Sequence, residues 1–224
     1  MTPKPKQSIA QLLLEGQTTI HNSLSDPEIQ SLVAGFGYMV EKLNAANGLC
    51  AAAQAAVNLQ KSKEGGQQES TRLLSEAERT ARDAYQALAK VARAVFIKDK
   101  AQLVTLGLTG RQPRDIAEFL TAAYTLFDNA AALPALADYG YGAARLQTER
   151  GKIVALDQAN RRQEAAKGAA QQATRDQEAA LQSLHDWLAQ YRKIARVALR
   201  EKPQLLEKLG IAARTSRIAA RSEG

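Results

Sequence analysis

The chain has 224 residues, with 30 Lys and Arg against 23 Asp and Glu, and it is rich in residues that favour α-helix. Its single cysteine excludes an intrachain disulfide, and no stretch approaches the roughly 18–20 apolar residues that a membrane-spanning helix needs. We therefore expect a soluble, cytoplasmic protein with no signal peptide.

The excess positive charge lies mostly at the two ends of the chain. The net charge is +7, and the last residues alone carry Arg214, Arg217 and Arg221. We interpret 1–7 and 212–224 as flexible basic ends. Because no aromatic residues are interleaved with these arginines, any binding of nucleic acid or another anionic polymer would be weak and nonspecific.

Helical periodicity begins close to the N-terminus. A short amphipathic segment at 8–24 precedes a predicted helix from about 27 to 61, for which Ser25 or Asp26 is the cap and Pro27 the first residue. The sequence SKEGGQQ at 62–68 predicts a break. Apolar residues recur every seven positions in the first long helix, at Ile29, Phe36, Leu43, Cys50 and Val57, and at alternating spacings of three and four in the next, at Leu74, Ala77, Ala81, Ala84, Leu88, Val91 and Val95.

The second half of the chain repeats the first. Shifted by 103 residues, 37–93 align with 140–196 without a gap, and 16 of 57 positions are identical. Each copy starts with a short amphipathic segment, the second at 113–130 with Pro113 at its first helical position. We predict an internal duplication, with repeat 1 at about 8–108 and repeat 2 at about 112–211.

These elements predict an all-α fold. We expect one cooperative domain, an elongated antiparallel four-helix bundle with two additional short helices and pseudo-twofold symmetry. Trp187 stands where the first copy has Ala84, which suggests that the two halves exchange volume across a shared core. Gly107 and Gly210 are predicted to close helices in the left-handed conformation.

Two phrases of the second copy, YGYGAARLQTERGK and YRKIARVALREKPQLLEKLGI, and their echoes in the first resemble a set of uncharacterised bacterial helical-bundle proteins. The resemblance covers nearly the whole chain and implies a fold but no activity. The first copy departs from it at Ala101, where the second has Pro203.

The sequence offers little for catalysis or metal binding. His21 and His185 are not equivalent in the repeat, and neither belongs to the Glu-x-x-His pair of a di-iron bundle. Cys50 lies on the apolar stripe, which is typical of a small buried residue. We predict no enzyme activity, no metal and no cofactor.

The polar residues that both copies retain are the candidate partner- or ligand-binding residues. Tyr38 with Lys42, and Tyr141 with Arg145, are four apart and would share a helix face away from the Phe36 stripe. One interpretation is a duplicated recognition patch. In the other, which we favour, each tyrosine packs beneath the short first helix of its own copy and the base covers the ring.

A second set of retained residues flanks the following helix. Lys90 and Arg93, with Lys193 and Arg196, could form charged grooves for an anionic ligand. Alternatively, the arginines bind carbonyls near the closing Leu-Gly turns and the lysines join ion pairs between helices.

We predict a non-enzymatic helical-bundle protein that binds or scaffolds a protein partner or associates with itself, with a homodimer as one form. The alternatives are a carrier of a small apolar or anionic molecule in the cleft between repeats, and the weak anionic-polymer binding described above. A hollow interior between the copies would favour the carrier.

Overall fold

A computed structural model describes residues 8–212. Helices make up 83% of the structure and no strand occurs among the described residues, which confirms the all-α prediction. The predicted basic ends, 1–7 and 212–224, lie outside this range except for residue 212. The elements are α1 (Ile9–Ser25), α2 (Pro27–Ala34), α3 (Val40–Val95), α4 (Lys100–Thr105), α5 (Ile116–Ala130), a 3-10 helix (Pro134–Tyr139), α6 (Ala143–Ala198) and α7 (Pro203–Lys208).

The chain divides into two compact units. Unit 1 comprises residues up to 62 and from 171 onward, and unit 2 comprises residues 63–170. Helix α3 begins in unit 1 and ends in unit 2, whereas α6 begins in unit 2 and ends in unit 1. Each unit therefore contains one part of both long helices, together with short helices of its own.

In unit 1, α1 packs on α3 and α6. Gly16 of α1 permits a close approach, because a Cβ there would lie 3.3 Å from Leu184 and 3.5 Å from the sulfur of Cys50. Thr19 donates a 3.0 Å hydrogen bond to the carbonyl of Leu209. These contacts cover the buried apolar residues and attach α1 to the end of α7.

In unit 2, α5 packs on α3 and α6 in a comparable way. Tyr85 and Phe119 form an edge-to-face pair with ring centroids 5.5 Å apart. The guanidinium of Arg82 lies 4.3 Å from the centroid of the Phe119 ring and donates to the carbonyls of Pro113 and Arg114. Arg82 thereby ties the segment before α5 to α3.

Ala84 and Trp187 do not pack in one shared cluster. Ala84 belongs to the buried cluster of unit 2, whereas Trp187 packs against the clusters of unit 1. The predicted exchange of volume across a shared core is therefore wrong for this pair. Each unit instead places its aromatic rings at different positions of its own core.

The predicted break at 62–68 is also wrong. Helix α3 continues through Gly65 and Gly66, where an added Cβ would meet nothing within 4 Å. Each glycine costs about 1 kcal/mol relative to alanine in a helix. Buried residues on both sides, such as Val57 and Ala81, hold the flanking turns, and the helix spans the weak segment.

The first long helix, by contrast, is not continuous from 27 to 61. Asp26 caps α2 through the backbone N–H groups of Glu28 and Ile29, as the sequence predicts, but α2 ends at Ala34. Phe36 is consequently 48% exposed, although the seven-residue spacing predicts its burial. In unit 2, Pro113 precedes α5, whose cap is Asp115, so it is not the first helical residue as predicted.

Candidate functional site

The turn between α2 and α3 is built by Gly37. Its φ of 80° is the left-handed region, which glycine adopts without steric cost. The Gly37 N–H bonds to the carbonyl of Ala34 at 3.0 Å, and the Tyr38 N–H bonds to that of Val33 at 3.2 Å. This pair of bonds is a Schellman motif, in which the residue after the glycine packs back on the helix.

The same motif precedes α6 in unit 2. Gly140 has a φ of 82°, its N–H bonds to Ala137 at 3.0 Å, and the Tyr141 N–H bonds to Leu136 at 3.0 Å. Gly107 and Gly210 also have positive φ, which confirms the prediction for them. Gly37 and Gly140 are needed for their backbone conformation.

Both tyrosines of the candidate set are buried. Tyr38 is 2% exposed and Tyr141 is 4% exposed. The Tyr38 ring lies 5.9 Å from that of Trp187 and 4.9 Å from that of Tyr191, both on α6. The ring therefore packs on α6. The two tyrosines do not form an exposed recognition patch.

The base of each pair covers its tyrosine ring. The Lys42 ammonium lies 3.9 Å from the centroid of the Tyr38 ring, and the Arg145 guanidinium carbon lies 4.4 Å from that of Tyr141. Arg145 also donates to the carbonyl of Gly140 at 3.3 Å. Each tyrosine precedes the long helix instead of lying within it, so the contact does not arise from a shared helix face.

The aromatic cluster of unit 1 contains one satisfied hydroxyl and one without a partner. Tyr191 Oη lies 2.5 Å from the hydroxyl of Ser23, which donates to the carbonyl of Thr19 at 2.7 Å. Tyr38 Oη is buried and makes no hydrogen bond within residues 8–212. Burial raises the pKa of both phenols, and the Ser23 hydrogen bond opposes that rise in the pKa of Tyr191.

The exposed aromatic residue in each turn is the one before the glycine. Phe36 is 48% exposed and Tyr139 is 61% exposed. Sequence reasoning missed both residues. For Phe36 the reason is the seven-residue pattern, which predicts that this side chain is buried. The phrase aromatic-Gly-Tyr contained the signal, since a left-handed glycine packs the following residue inward and leaves the preceding one outside.

A cleft of about 350 Å³ adjoins Phe36 in unit 1. Its apolar walls also include Leu32, Val197 and Ala198, and Val197 is 53% exposed. Arg200 lies on the rim together with Glu201 and Lys202. Val197 and Arg200 were not among the candidates at the sequence level.

The remaining candidates, Lys90, Arg93, Lys193 and Arg196, are all exposed. Arg93 donates to the carbonyl of Leu108 at 3.4 Å, which agrees with the carbonyl-binding interpretation. Within residues 8–212, no hydrogen bond or ion pair involves the side chains of the other three, so the ion pairs suggested for the lysines do not form there. On α6, Lys193 lies one turn before Val197, and Arg196 immediately precedes Val197.

Two further clefts open beside α1 in unit 1. One, of about 580 Å³, is lined by Leu13, Leu14 and Val57 with several glutamines, among them Gln177. The other, of about 540 Å³, lies between Leu12 on α1 and residues of α6. Both clefts combine apolar and polar walls and bring together residues from the two predicted repeats.

Within residues 8–212, no group of three or more His, Cys, Asp and Glu side chains is placed to hold a metal ion. Cys50 is buried, as predicted, and its burial raises the pKa of the thiol. None of the helices in this range is both long and apolar enough to cross a membrane.

Comparisons of the chain with protein-family models, with curated proteins and with solved structures give no significant match.

Proposed function

We propose that this is a non-enzymatic helical protein of the cytoplasm that binds or scaffolds a protein partner. One observation carries the proposal: each unit exposes an aromatic side chain, Phe36 or Tyr139, at a glycine turn of fixed backbone geometry. A large aromatic ring held in place loses little entropy on binding and contributes a large contact area. A second copy of the chain is one form that the partner can take.

The proposal includes an internal duplication with a period of about 103 residues and a relation to the uncharacterised bacterial helical-bundle proteins. Two features support the duplication. Helices α3 and α6 are both 56 residues long and begin 103 residues apart. The four left-handed glycines form two pairs at the same offset, namely Gly37 with Gly140 and Gly107 with Gly210. In this proposal, the helical bundle has two long helices, α3 and α6, in place of the four long helices predicted, and the short helices pack on them.

The test compares two substitutions at similarly exposed positions of unit 1. Phe36 is 48% exposed and Leu59 is 47% exposed. Tagged wild-type, Phe36→Ser and Leu59→Ser proteins are produced in the source cell, and the size of their native complexes is measured. We expect a complex larger than the purified protein, which Phe36→Ser releases and Leu59→Ser retains. Equal complexes for all three proteins would overturn the proposal.

The second candidate function is a carrier of a small apolar or anionic molecule. The cleft of about 580 Å³, which contains both Leu13 and Gln177, supports it. Leu14 lines this cleft and is 63% exposed, so Leu14→Trp would fill the space without opening the core. The apolar anionic dye anilinonaphthalene sulfonate is the probe. Saturable fluorescence that Leu14→Trp removes would favour a carrier, and unchanged or absent fluorescence would count against it.

Binding of an anionic polymer through the basic ends is the third candidate. Its residues Arg214, Arg217 and Arg221 lie outside the described residues. A chain shortened at residue 211 should then lose its binding to single-stranded DNA and the salt dependence of that binding. Unchanged binding would exclude this candidate.

A further inference from the structure

We infer that the face around Phe36 in unit 1 accepts an acidic, amphipathic helical segment of a partner protein. The inference rests on the proposed partner-binding function and specifies the chemistry of the partner. We call this surface the Phe36 face and define it by Phe36, Lys193, Arg196, Val197 and Arg200.

The α6 residues of the face lie along one stripe. Lys193, Arg196 and Val197 are spaced i, i+3 and i+4, which places them on the same side of the helix, and Arg200 lies in the turn that follows α6. Val197 and Arg200 line the cleft of about 350 Å³ together with Phe36. The stripe therefore runs directly into an apolar recess that can receive a side chain of a partner.

Among residues 8–212, the positive charge of Lys193 and Arg196 is not balanced by an ion pair, in contrast to that of the residues after α6. Arg200 pairs with Glu201 at 3.4 Å, and the neighbouring Lys202 pairs with Glu28. Within the described range, Lys193 and Arg196 have no ion pair or side-chain hydrogen bond. Cations three and four residues apart on a helix repel each other. The helix dipole favours Arg196 in the last turn of α6, but Lys193 lies before that turn.

The combination of recess and charge indicates the class of partner. An apolar side chain would occupy the space between Phe36 and Val197, and carboxylates on the same segment would face Lys193 and Arg196. A helix with apolar residues at i, i+3, i+4 and i+7 and Glu at its flanks has this arrangement. The recess between Phe36 and Val197 fits an inserted side chain better than a flat surface such as a lipid headgroup layer.

The equivalent region of unit 2 does not show the same combination. Tyr139 and Ile97 are 61% and 72% exposed, but Arg93 is used by the carbonyl of Leu108. The inference is therefore confined to unit 1, where the exposed ring, the recess and the two unpaired cations occur together.

The experiment titrates the full chain with a fluorescein-labelled 16-residue helical peptide and follows anisotropy. The peptide carries Leu at i, i+3, i+4 and i+7 and Glu at the other exposed positions. One reference peptide has Lys in place of Glu, and a second has Ala in place of Leu. Vesicles of phosphatidylcholine with phosphatidylserine form the fourth arm.

The protein variants are Phe36→Ser and the double variant Lys193→Glu with Arg196→Glu. Their matched controls are Leu59→Ser and Arg175→Glu, which alter exposed residues elsewhere in unit 1, and the melting temperature of each variant verifies its folding.

We expect the protein to bind the peptide with Glu and Leu, and not the two reference peptides or the vesicles. Each variant of the Phe36 face should weaken this binding about tenfold or more, and the control variants should change it less than about twofold. Equal binding of the Lys peptide, binding that Phe36→Ser leaves unchanged, or no peptide binding would overturn the inference. If the protein binds the vesicles and not the peptide, and Phe36→Ser removes the vesicle binding, the inference is overturned and the Phe36 face binds a lipid surface instead. The proposed function fails separately, if Phe36→Ser leaves the complex in the source cell intact.

Discussion

The ammonium group of Lys42 lies 3.9 Å from the centre of the Tyr38 ring, and that ring is almost completely buried. The lysine lies over this ring, and Trp187 and Tyr191 of α6 also pack against it. A cation over an aromatic face contributes about 0.5–1 kcal/mol at an exposed site. The contact therefore adds to the stability of Tyr38, which follows the Gly37 turn that presents Phe36.

Removing the hydroxyl group of Tyr38 and removing that of Tyr191 should change the stability of the protein in opposite directions. Tyr38 Oη is buried without a hydrogen bond, so Tyr38→Phe removes an unsatisfied polar group and should stabilise the protein by about 1 kcal/mol. Tyr191→Phe breaks the bond to Ser23 and should destabilise it by about 1 kcal/mol. Urea unfolding of both variants measures the difference. A loss of stability in Tyr38→Phe equal to that in Tyr191→Phe would contradict this assignment.

Glycine should be required at the turn and dispensable inside the helix. Gly37→Ala forces a side chain into the left-handed region and should cost about 1–2 kcal/mol. Gly48 lies within α3 with nothing within 4 Å of an added Cβ, so Gly48→Ala should instead gain up to about 1 kcal/mol. The melting temperatures of the two variants should move in opposite directions. A shift in the same direction would exclude the conformational role of Gly37.

Asp26 should make stability depend on pH in the acidic range. Its hydrogen bond to Lys208, followed by that from the Ile29 N–H, holds the pKa of the carboxyl below its usual value. A lowered pKa in the folded state contributes stability above the unfolded pKa of about 3.9, and that stability is lost as the pH falls through the folded pKa.

Asp26→Asn keeps a good helix cap but removes the charge. Its melting temperature should therefore fall less steeply below about pH 4 than that of the wild type, measured in parallel acid titrations. Parallel curves for the two proteins would show that Asp26 does not carry this dependence.

Unfolding should be a single cooperative transition, because α3 and α6 each contribute residues to the cores of both units. Trp187 is the only tryptophan and lies in unit 1, so its fluorescence reports on that unit. Circular dichroism reports on the helices of both units. Coincident urea transitions by the two probes are expected, and a fluorescence transition at a different urea concentration would show that the units unfold separately.

Periodicity predicted the interior of the helices better than their ends. Leu74, Ala81 and Leu88 are buried or half-buried as their spacing requires, and Asp26 caps α2 as predicted. The sequence of 62–68 predicts a break because two glycines weaken a helix locally. Tertiary packing on both sides outweighs that local cost, and local sequence does not report such packing.

At the candidate site, the periodicity of the sequence predicted the burial of side chains less well than it did inside the helices. The repeat identifies the residues of the Gly-Tyr turns, but the helical spacing does not hold in this segment, because it is a turn. The seven-residue pattern predicts burial of Phe36, which the left-handed glycine leaves exposed, whereas Tyr38 is buried, as the favoured interpretation expects. The cleft between Phe36 and Val197 joins residues far apart in the chain and in different predicted repeats, so no local pattern indicates it.

Site-specific photocrosslinking at Phe36 tests the central claim most directly. A benzoylphenylalanine is placed at position 36 or, as the control, at the similarly exposed position 59, and the protein is irradiated in the source cell. We predict one discrete crosslinked protein from position 36 and none from position 59, with the Lys193→Glu and Arg196→Glu changes reducing the yield. No crosslink at position 36, or the same product from both positions, would contradict a partner-binding role for this turn.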